Sequence, residues 1–326
     1  MSEFHVQVIR VGEITKHPNA DSLGLVKVFD YPVIVRLGDF QPGDLAVYVP
    51  VDSIVPGDDL QWAFLDGHLR IRARRLRGIF SMGLLTHADP SWIEGQDVCE
   101  VLRVTKYEPP EPMTTGGENE HDPGYMPVYT DIEGLRRWPD VLIPGEEVVL
   151  TEKIHGCCSR FVFRDGRLWC ASHRNWKRQS PDSIWWKVAE RYKLAEALAT
   201  CQDVGFYGEV YGQVQDLKYG AGKNDLFVAF FDAMDIKTKR YLDYDDFRVM
   251  TGTLHLATAV PLVPELYRGP WSPDLRSYAE GPSTVPGAAN VREGIVVRPV
   301  KERWDDRVGR VVLKLHGQGY LLRKEK

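Results

Sequence analysis

Short segments in which apolar and polar residues alternate dominate the first hundred positions. Phe4, Val6 and Val8 alternate with His5 and Gln7, which predicts a strand with one buried face. Short apolar segments bounded by turn residues predict further strands at 26–29, 33–37 and 46–49. Many short strands separated by turns are typical of a small β-barrel or sandwich. The pattern therefore predicts a β domain at the start of the chain.

Longer apolar segments follow in the second half of the chain. They predict strands at 148–153, 206–211, 227–232, 293–298 and 311–315, and a hairpin over 161–171. Apolar residues at helical spacing predict an amphipathic helix over 185–201, and 131–137 predicts a short helix. The last four of these strands each carry a charged residue. Charged residues on buried strands favour one shared functional cleft.

Pro and Gly residues are concentrated between these two patterns, for example at Pro109-Pro110 and Gly116-Gly117. Such a composition is typical of a linker. We therefore predict a first domain over 1–107, a linker over 108–127 and a second domain over 128–326. The predicted fold class is α+β.

Composition limits the class of protein. The chain has 326 residues and a formal net charge of −5, so any contact with nucleic acid must come from local basic patches. The first residues do not resemble a secretory signal, and the apolar segments are too short to cross a membrane. Five cysteines without zinc-type spacing favour free thiols and an intracellular, cytoplasmic setting.

Two features of the first domain favour nucleic-acid binding. In a strand, Arg70, Arg72 and Arg74 share one face, which would form a track for phosphates. The alternative is a solvated face paired with nearby acidic residues. The stretch 16–23, Lys-His-Pro-Asn-Ala-Asp-Ser-Leu, resembles the opening of tRNA-binding OB-fold domains.

The stretch Thr-Glu-Lys-Ile-His-Gly, residues 151–156, places Lys153 ahead of an ordered series of motifs. These are Gly208-Glu209, Phe231-Asp232, Glu293-Gly294 and Lys314. A lysine amine can attack a nucleotide phosphate once it loses its proton, and nearby positive charge lowers its pKa from about 10.4. Carboxylates on neighbouring strands would hold a hydrated magnesium ion. The series therefore indicates nucleotidyl transfer.

Lys153-Ile154-His155-Gly156 resembles the nucleophile motif of the covalent nucleotidyltransferases, which comprise ATP-dependent RNA ligases, DNA ligases and capping enzymes. The later motifs occur in the family's order, and the resemblance covers roughly 125–320. It implies that Lys153 becomes adenylylated and that Lys314 meets phosphates. It also implies contacts with the nucleotide from Glu152, Arg174, Glu209, Phe231, Asp232, Glu293 and Arg298. Glu209 and Glu293 would in addition hold the metal.

The order of domains resembles the Deinococcus/Naegleria type of RNA ligase. Only 12 residues follow Lys314, so we expect no trailing OB domain and expect the leading barrel to be the OB-like one. An ATP-grasp-like nucleotidyltransferase (ligase) domain of antiparallel sheets and helices would follow it. The resemblance implies a monomer that uses ATP with Mg²⁺ or Mn²⁺. Its substrate would be nicked RNA or RNA/DNA duplexes with an RNA 3′-hydroxyl end.

The chain departs from the family pattern at two positions. His155 stands where many relatives have Asp, and a neutral imidazole cannot replace that charge. His316 stands where the last motif often has a second lysine. The roles of these two histidines stay open.

The sequence leaves three alternatives to an RNA ligase. They are a DNA ligase or capping-type nucleotidyltransferase, a non-catalytic nucleic-acid-binding protein, and a tRNA-binding module. The motif series favours catalysis, and the last alternative leaves the second domain without an explanation.

Overall fold

A computed structural model describes residues 4–107, 118–254 and 259–323. The chain forms two compact units, Met1–Pro110 with Gly134–Pro139 and Glu111–Glu133 with Asp140–Lys326. The predicted linker, 108–127, lies partly outside the described residues. Its described part, 118–127, packs within the second unit, where Met126 is buried and Asn119 forms a bridge with Lys177. The predicted domain limits stay a prediction.

The first unit is built from short strands around two apolar clusters. One sheet orders its strands Gln7–Arg10, Leu45–Val49 and Leu84–His87, and another orders Ile14–Lys16, Leu23–Val28 and Tyr31–Arg36. The remaining elements are Ser53–Ile54, Arg74–Leu76, Ile79–Ser81, Thr105–Lys106 and the 3-10 helix Leu60–Leu65. The valines of the alternating segments pack around Trp62, which is 1% exposed. The strands predicted at 4–8, 26–29, 33–37 and 46–49 are present, with bounds shifted by a few residues. Of the arginine stretch 70–74, only Arg74 lies in a strand, and Arg70 forms an isolated bridge with Ile54.

Two sheets form the second unit. The large sheet orders six strands: Trp176–Lys177, Arg167–Ser172, Cys157–Arg164, Val204–Gly212, Leu226–Asp235 and Arg240–Tyr241. The lysine sheet orders Leu313–His316, Gly294–Pro299, Glu147–Lys153 and Glu265–Pro270. A short hairpin joins Trp304–Asp305 to Gly309–Arg310, and Glu133–Gly134 is a two-residue strand. All five strands predicted for this half are present.

The helices of the second unit are short. They are Ile184–Arg191, Leu194–Leu198, Tyr244–Leu254 and Gln318–Leu321, with the 3-10 helix Pro273–Ala279. The single helix predicted over 185–201 is wrong, because Lys193 adopts a left-handed conformation (φ 49°) that interrupts it. The helix predicted over 131–137 is also wrong, because a short strand and turns occupy these residues. None of the helices in the described ranges is long and apolar enough to span a bilayer.

The helices Ile184–Arg191, Leu194–Leu198 and Tyr244–Leu254 cover one face of the large sheet. Phe206 and Phe230 point toward them and stack with ring centroids 5.1 Å apart, and Leu194 and Leu198 pack into the same cluster. Glu209 lies three residues after Phe206 on the same strand, so alternation places its side chain on the opposite face. This opposite face is turned toward the lysine sheet.

Phe206→Ala should destabilise the protein by about 3–5 kcal/mol, because Phe206 is fully buried and the truncation leaves a cavity against Phe230. Equilibrium unfolding in urea measures the change. Val249→Ala is the matched control, since Val249 is 71% exposed on the helix Tyr244–Leu254. Its free energy of unfolding should stay within about 0.5 kcal/mol of wild type. Equal midpoints for the two variants would contradict the described core.

Candidate active site

Strand register sets the neighbours of Lys153. Lys153 lies opposite Gly294, and Gly294 lies opposite His316 on the next strand. The row two residues away joins Thr151, Val296 and Lys314. Residues in one row, and residues two apart on one strand, point to the same face of a sheet. Lys153, Lys314 and His316 therefore share one face of the lysine sheet.

Two glycines allow the close approach of backbones around the lysine. A Cβ atom on Gly156 would lie 2.2 Å from the carbonyl oxygen of Val210, which follows Glu209 on the large sheet. A Cβ atom on Gly294 would lie 2.1 Å from the carbonyl oxygen of Leu315. No side chain fits at either position, so glycine is required where the chain after Lys153 meets the large sheet and where Gly294 meets the strand Leu313–His316.

The amine of Lys153 forms an ion pair with Glu293. Nζ lies 2.8 Å from Oε1 of Glu293, and the Glu293 side chain is only 4% exposed. Burial alone would raise the pKa of Glu293, but the charge of Lys153 holds it well below its usual range. The other carboxylate oxygen, Oε2, is buried and has no hydrogen-bond partner. It is therefore available to a ligand.

Glu209 contributes a second carboxylate to this pair. Burial raises the pKa of Glu209 to about 8, against the opposing effect of Lys153, and the nearby charge of Glu293 adds to the rise. Burial alone would lower the pKa of Lys153, but the charges of Glu293 and Glu209 have the larger combined effect and raise this pKa. Beside these carboxylates the lysine is an ammonium at neutral pH, and it becomes a nucleophile only after losing a proton.

The two histidines whose roles were open lie at the same place. His155 Nδ1 is 3.8 Å and His316 Nε2 is 3.6 Å from Oε1 of Glu293. Burial lowers the pKa of each ring. His316 stacks on Tyr320, with centroids 5.7 Å apart.

Glu152, predicted to lie against the adenine, points to the opposite face of the lysine sheet from Lys153. Its carboxylate accepts hydrogen bonds from Ser283 Oγ (2.5 Å) and from Thr284 N and Oγ1 (2.7 and 2.6 Å). Arg292 Nε lies 3.6 Å away. The structure thus places Glu152 in a hydrogen-bonded cluster with the loop at 283–284. Its contact with the base stays a prediction.

The structure does not bring Asp232 and Arg298 to the amine. Arg298 lies opposite Val149, which is four residues before Lys153 and so about 13 Å away along the strand. Both side chains belong to a second buried cluster. Asp232 pairs with Arg298 Nη1 (2.9 Å) and Arg310 Nη1 (2.6 Å). Tyr129 and Glu302 complete this cluster. The predicted contacts of Asp232 and Arg298 with the nucleotide stay untested.

Phe231 lies between this cluster and the lysine. Gly208 pairs with Phe230 and Tyr207 pairs with Asp232, so Phe231 is the extra residue of a β-bulge. Its ring is partly buried and packs edge-to-face on Tyr129, with centroids 5.0 Å apart. Arg174 is exposed in the bend that follows the strand Arg167–Ser172. Stacking by Phe231 and phosphate contact by Arg174 stay predictions.

In the first unit, Arg72 and Arg74 are exposed while Ile71 and Ala73 are buried, as alternation predicts. The guanidinium of Arg70 is instead held by Asp52, at 2.7 Å, and lies over the ring of Tyr107. Pairing with an acidic residue was the alternative interpretation of this segment, and it fits Arg70. The phosphate track stays a prediction.

Several residues near the site had no signal in the sequence. Asp216 and Arg323 pair beside His155, Arg310 holds Asp232 and is itself paired with Glu302, and Ser283 and Thr284 hold Glu152. Each is a common polar residue in a segment without a motif. Only the folded chain brings it to its partner.

The residues present fit a hydrated divalent cation. Two carboxylates meet at the lysine, and Oε2 of Glu293 has no partner. In residues 4–107, 118–254 and 259–323 no group of three or more His, Cys, Asp or Glu side chains is arranged to hold a metal. Two carboxylates still suit Mg²⁺ or Mn²⁺, because such ions keep several water ligands.

Comparison with known proteins agrees with this geometry. An RNA ligase family model matches residues 146–316, which contain Lys153, Glu209, Glu293 and Lys314. The chain belongs to the RNA ligase family. A model of an OB-fold domain matches residues 5–88. No curated protein matches the sequence significantly.

Solved structures of Naegleria gruberi RNA ligase resemble the whole chain. A mutant with ATP and Mn matches with a TM-score of 0.84 at 25% identity and covers 98% of both chains. A second mutant with AMP and Mn, at 25% identity, and the ligase with PPi, at 26%, each match with a TM-score of 0.83 over 97% of both chains. The predicted α+β fold, with a leading OB-fold domain and a ligase domain, is confirmed. The predicted enzyme class, RNA ligase, is confirmed as well.

Replacing each site glutamate by glutamine should have opposite effects on stability. The pKa of Glu209 is about 8 in the folded chain against 4.5 ordinarily, so its contribution to stability falls as pH rises between these values. Glu209→Gln should therefore gain about 1–3 kcal/mol over wild type as pH rises from 5 to 8. The pKa of Glu293 is lowered, so its contribution is present above pH 4.5 and is lost only in acid. Glu293→Gln should lose about 3 kcal/mol at pH 8.

Urea unfolding at pH 5 and pH 8, without ATP and with a metal chelator, measures both effects. Glu196→Gln is the control, because Glu196 is exposed on the helix Leu194–Leu198. Its difference from wild type should not change with pH. If the change in the free energy of unfolding had the same sign for Glu209→Gln and Glu293→Gln at pH 8, the described electrostatics would be refuted.

Proposed function

We propose that this chain is an ATP-dependent RNA ligase that seals 3′-hydroxyl/5′-phosphate nicks through a lysyl-AMP intermediate. The observation that carries the proposal is the contact of Lys153 Nζ with Glu293 at 2.8 Å, with Glu209 close enough to influence its charge. This lysine lies inside the part of the chain that matches the RNA ligase family. The Naegleria structures with ATP, with AMP and with PPi support the nucleotide chemistry.

In the first step the amine of Lys153 attacks the α-phosphate of ATP. A nitrogen–phosphorus bond forms, and the bond to the leaving pyrophosphate breaks. The ammonium must first lose a proton, and the charges of Glu293 and Glu209 oppose that loss. A divalent cation held through water by Glu209 and Glu293 would offset these charges, lower the pKa of Lys153 and neutralise the triphosphate.

Two further displacements complete the proposed reaction. The 5′-phosphate at the nick attacks the phosphorus of the lysyl adenylate and frees the amine of Lys153. The 3′-hydroxyl then attacks the activated 5′-phosphate and releases AMP. Each step is an in-line transfer at phosphorus, so positioning and charge neutralisation carry the catalysis. Lys314, on the same face as Lys153, would meet the phosphates.

The proposed substrate is nicked RNA or an RNA/DNA duplex whose 3′-hydroxyl end is RNA. The leading OB-fold domain supports this proposal, because OB folds bind oligonucleotides, and Arg72 and Arg74 are exposed on it. We propose that the protein acts as a monomer. An intracellular setting remains the expectation from the cysteines.

Incubation with α-labelled ATP and Mg²⁺ or Mn²⁺ should leave label on the wild-type chain after denaturation. Lys153→Ala and Lys153→Arg should take none, because Arg keeps the charge for Glu293 but does not form the adenylate. Lys237→Ala is the control, since Lys237 is exposed and pairs with Asp203. It should be labelled like wild type. A wild-type chain without label under either metal would refute the mechanism and favour a non-catalytic nucleic-acid-binding protein.

The substrate is tested with matched nicked duplexes. A nick with an RNA 3′-hydroxyl end should be sealed at least about 10-fold faster than the all-DNA nick, which corresponds to about 1.4 kcal/mol of discrimination. Gel separation of labelled strands gives the rates. Equal or faster sealing of the DNA nick would support a DNA ligase instead. Label on the chain without sealing of any nick would favour a capping-type transferase.

A further inference from the structure

His155 is clamped from two segments of the chain. Its backbone N–H donates to Tyr219 Oη at 2.7 Å, and its ring Nε2 lies 2.8 Å from Asp216 Oδ1. Tyr320 lies in the short helix Gln318–Leu321, which follows the strand Leu313–His316. Its Oη is 3.3 Å from the other ring nitrogen of His155, Nδ1. The ring is therefore held in one orientation, with Nδ1 turned toward Glu293 at 3.8 Å.

Asp216 is itself fixed as a carboxylate. Arg323 Nε donates to Oδ2 at 2.9 Å, and Nη2 donates to Oδ1 at 3.2 Å. Burial alone would raise the pKa of Asp216, but the hydrogen bonds and charge of Arg323 lower it. An ionised carboxylate only accepts hydrogen bonds. The short contact therefore requires that Nε2 of His155 carries the proton and donates it.

A neutral imidazole carries one proton, so a proton on Nε2 leaves Nδ1 as an acceptor. Tyr320 can then donate its hydroxyl proton to Nδ1. Nδ1 of His155 then offers no proton to Oε1 of Glu293, to which Lys153 lies 1.0 Å closer than His155 does (2.8 against 3.8 Å).

We propose that Asp216 is a positioning residue for the adenylylation of Lys153, because it fixes the Nε2–H tautomer of His155 and so keeps an N–H of that ring away from Glu293. The proposal rests on the proposed function. With the other tautomer, Nδ1 would carry a hydrogen near both Tyr320 Oη (3.3 Å) and Oε1 of Glu293 (3.8 Å), and this N–H would compete with the amine for Glu293. Lys153 would then lose the partner that holds it in place.

Asp216→Asn separates this role from simple packing. Arg323 can only donate, so it should take the amide oxygen of the new side chain and turn the NH₂ group toward His155. Nε2 must then accept, which forces the proton onto Nδ1. Labelling of Lys153 at saturating ATP should slow by about 10- to 100-fold, the usual effect of losing a partner that orients a histidine. The ATP concentration for half-maximal rate should change little, since Asp216 acts through His155.

Two further variants supply the comparison. Asp216→Glu keeps an acceptor-only carboxylate and should recover most of the rate. Asp225→Asn is the matched control, because Asp225 lies in the same segment, is 49% exposed and faces Arg191. Its rate should equal that of wild type. Thermal unfolding of all variants checks that each is folded.

Nitrogen NMR of ¹⁵N-histidine protein without ATP reads the tautomer directly. Wild type and Asp216→Glu should show His155 protonated on Nε2, and Asp216→Asn should show the proton on Nδ1. Wild type protonated on Nδ1, or a normal labelling rate in Asp216→Asn, would overturn the proposal. Slowing in Asp216→Asn with the tautomer unchanged would also overturn it. If wild type takes no label, the proposed function fails and the positioning role falls with it, while the NMR result still decides whether Asp216 fixes the ring.

Discussion

The ion pair between Lys153 and Glu293 does not balance the charge of the site. Glu209 adds a second carboxylate to a single ammonium in a partly buried space. Burial and the repulsion of Glu293 therefore push the pKa of Glu209 up to about 8, although the lysine opposes the shift. The same two carboxylates raise the pKa of Lys153. When both carboxylates are ionised the site is short of positive charge, and a cation held there would offset that deficit and lower the pKa of Lys153.

Close backbone packing makes this arrangement possible. The strand of Lys153 runs directly against Gly294, and the chain after it touches the strand of Glu209 at Gly156. Any side chain at these glycines would collide with a carbonyl oxygen. The segments around Lys153 therefore contain residues of two kinds, the charged residues and the glycines that let neighbouring backbones pack closely enough for the charged groups to interact.

A second charged cluster stabilises the unit away from the lysine. Asp232, on the large sheet, accepts hydrogen bonds from Arg298 and Arg310, and Glu302 neutralises the two guanidinium groups further. All of these groups are buried or nearly so, and loss of one partner would leave an uncompensated charge. The cluster joins the two sheets. Family motifs can therefore mark residues whose contacts in the ligand-free chain are structural.

The sequence by itself determined the strands of both halves and the order of the motifs, and it indicated Lys153 as the nucleophile, because apolar periodicity and motif spacing are local properties of a chain. It also indicated Glu209 and Glu293 as the acidic partners. It did not show the break of the helix at Lys193, since a left-handed residue that ends a helix is decided by packing. Only the tertiary structure separated Asp232 and Arg298 from the amine and joined Asp216 to His155. Those pairings span 61 to 66 positions of the chain, and a contact over such a separation follows from how sheets pack, which no local pattern of residues encodes.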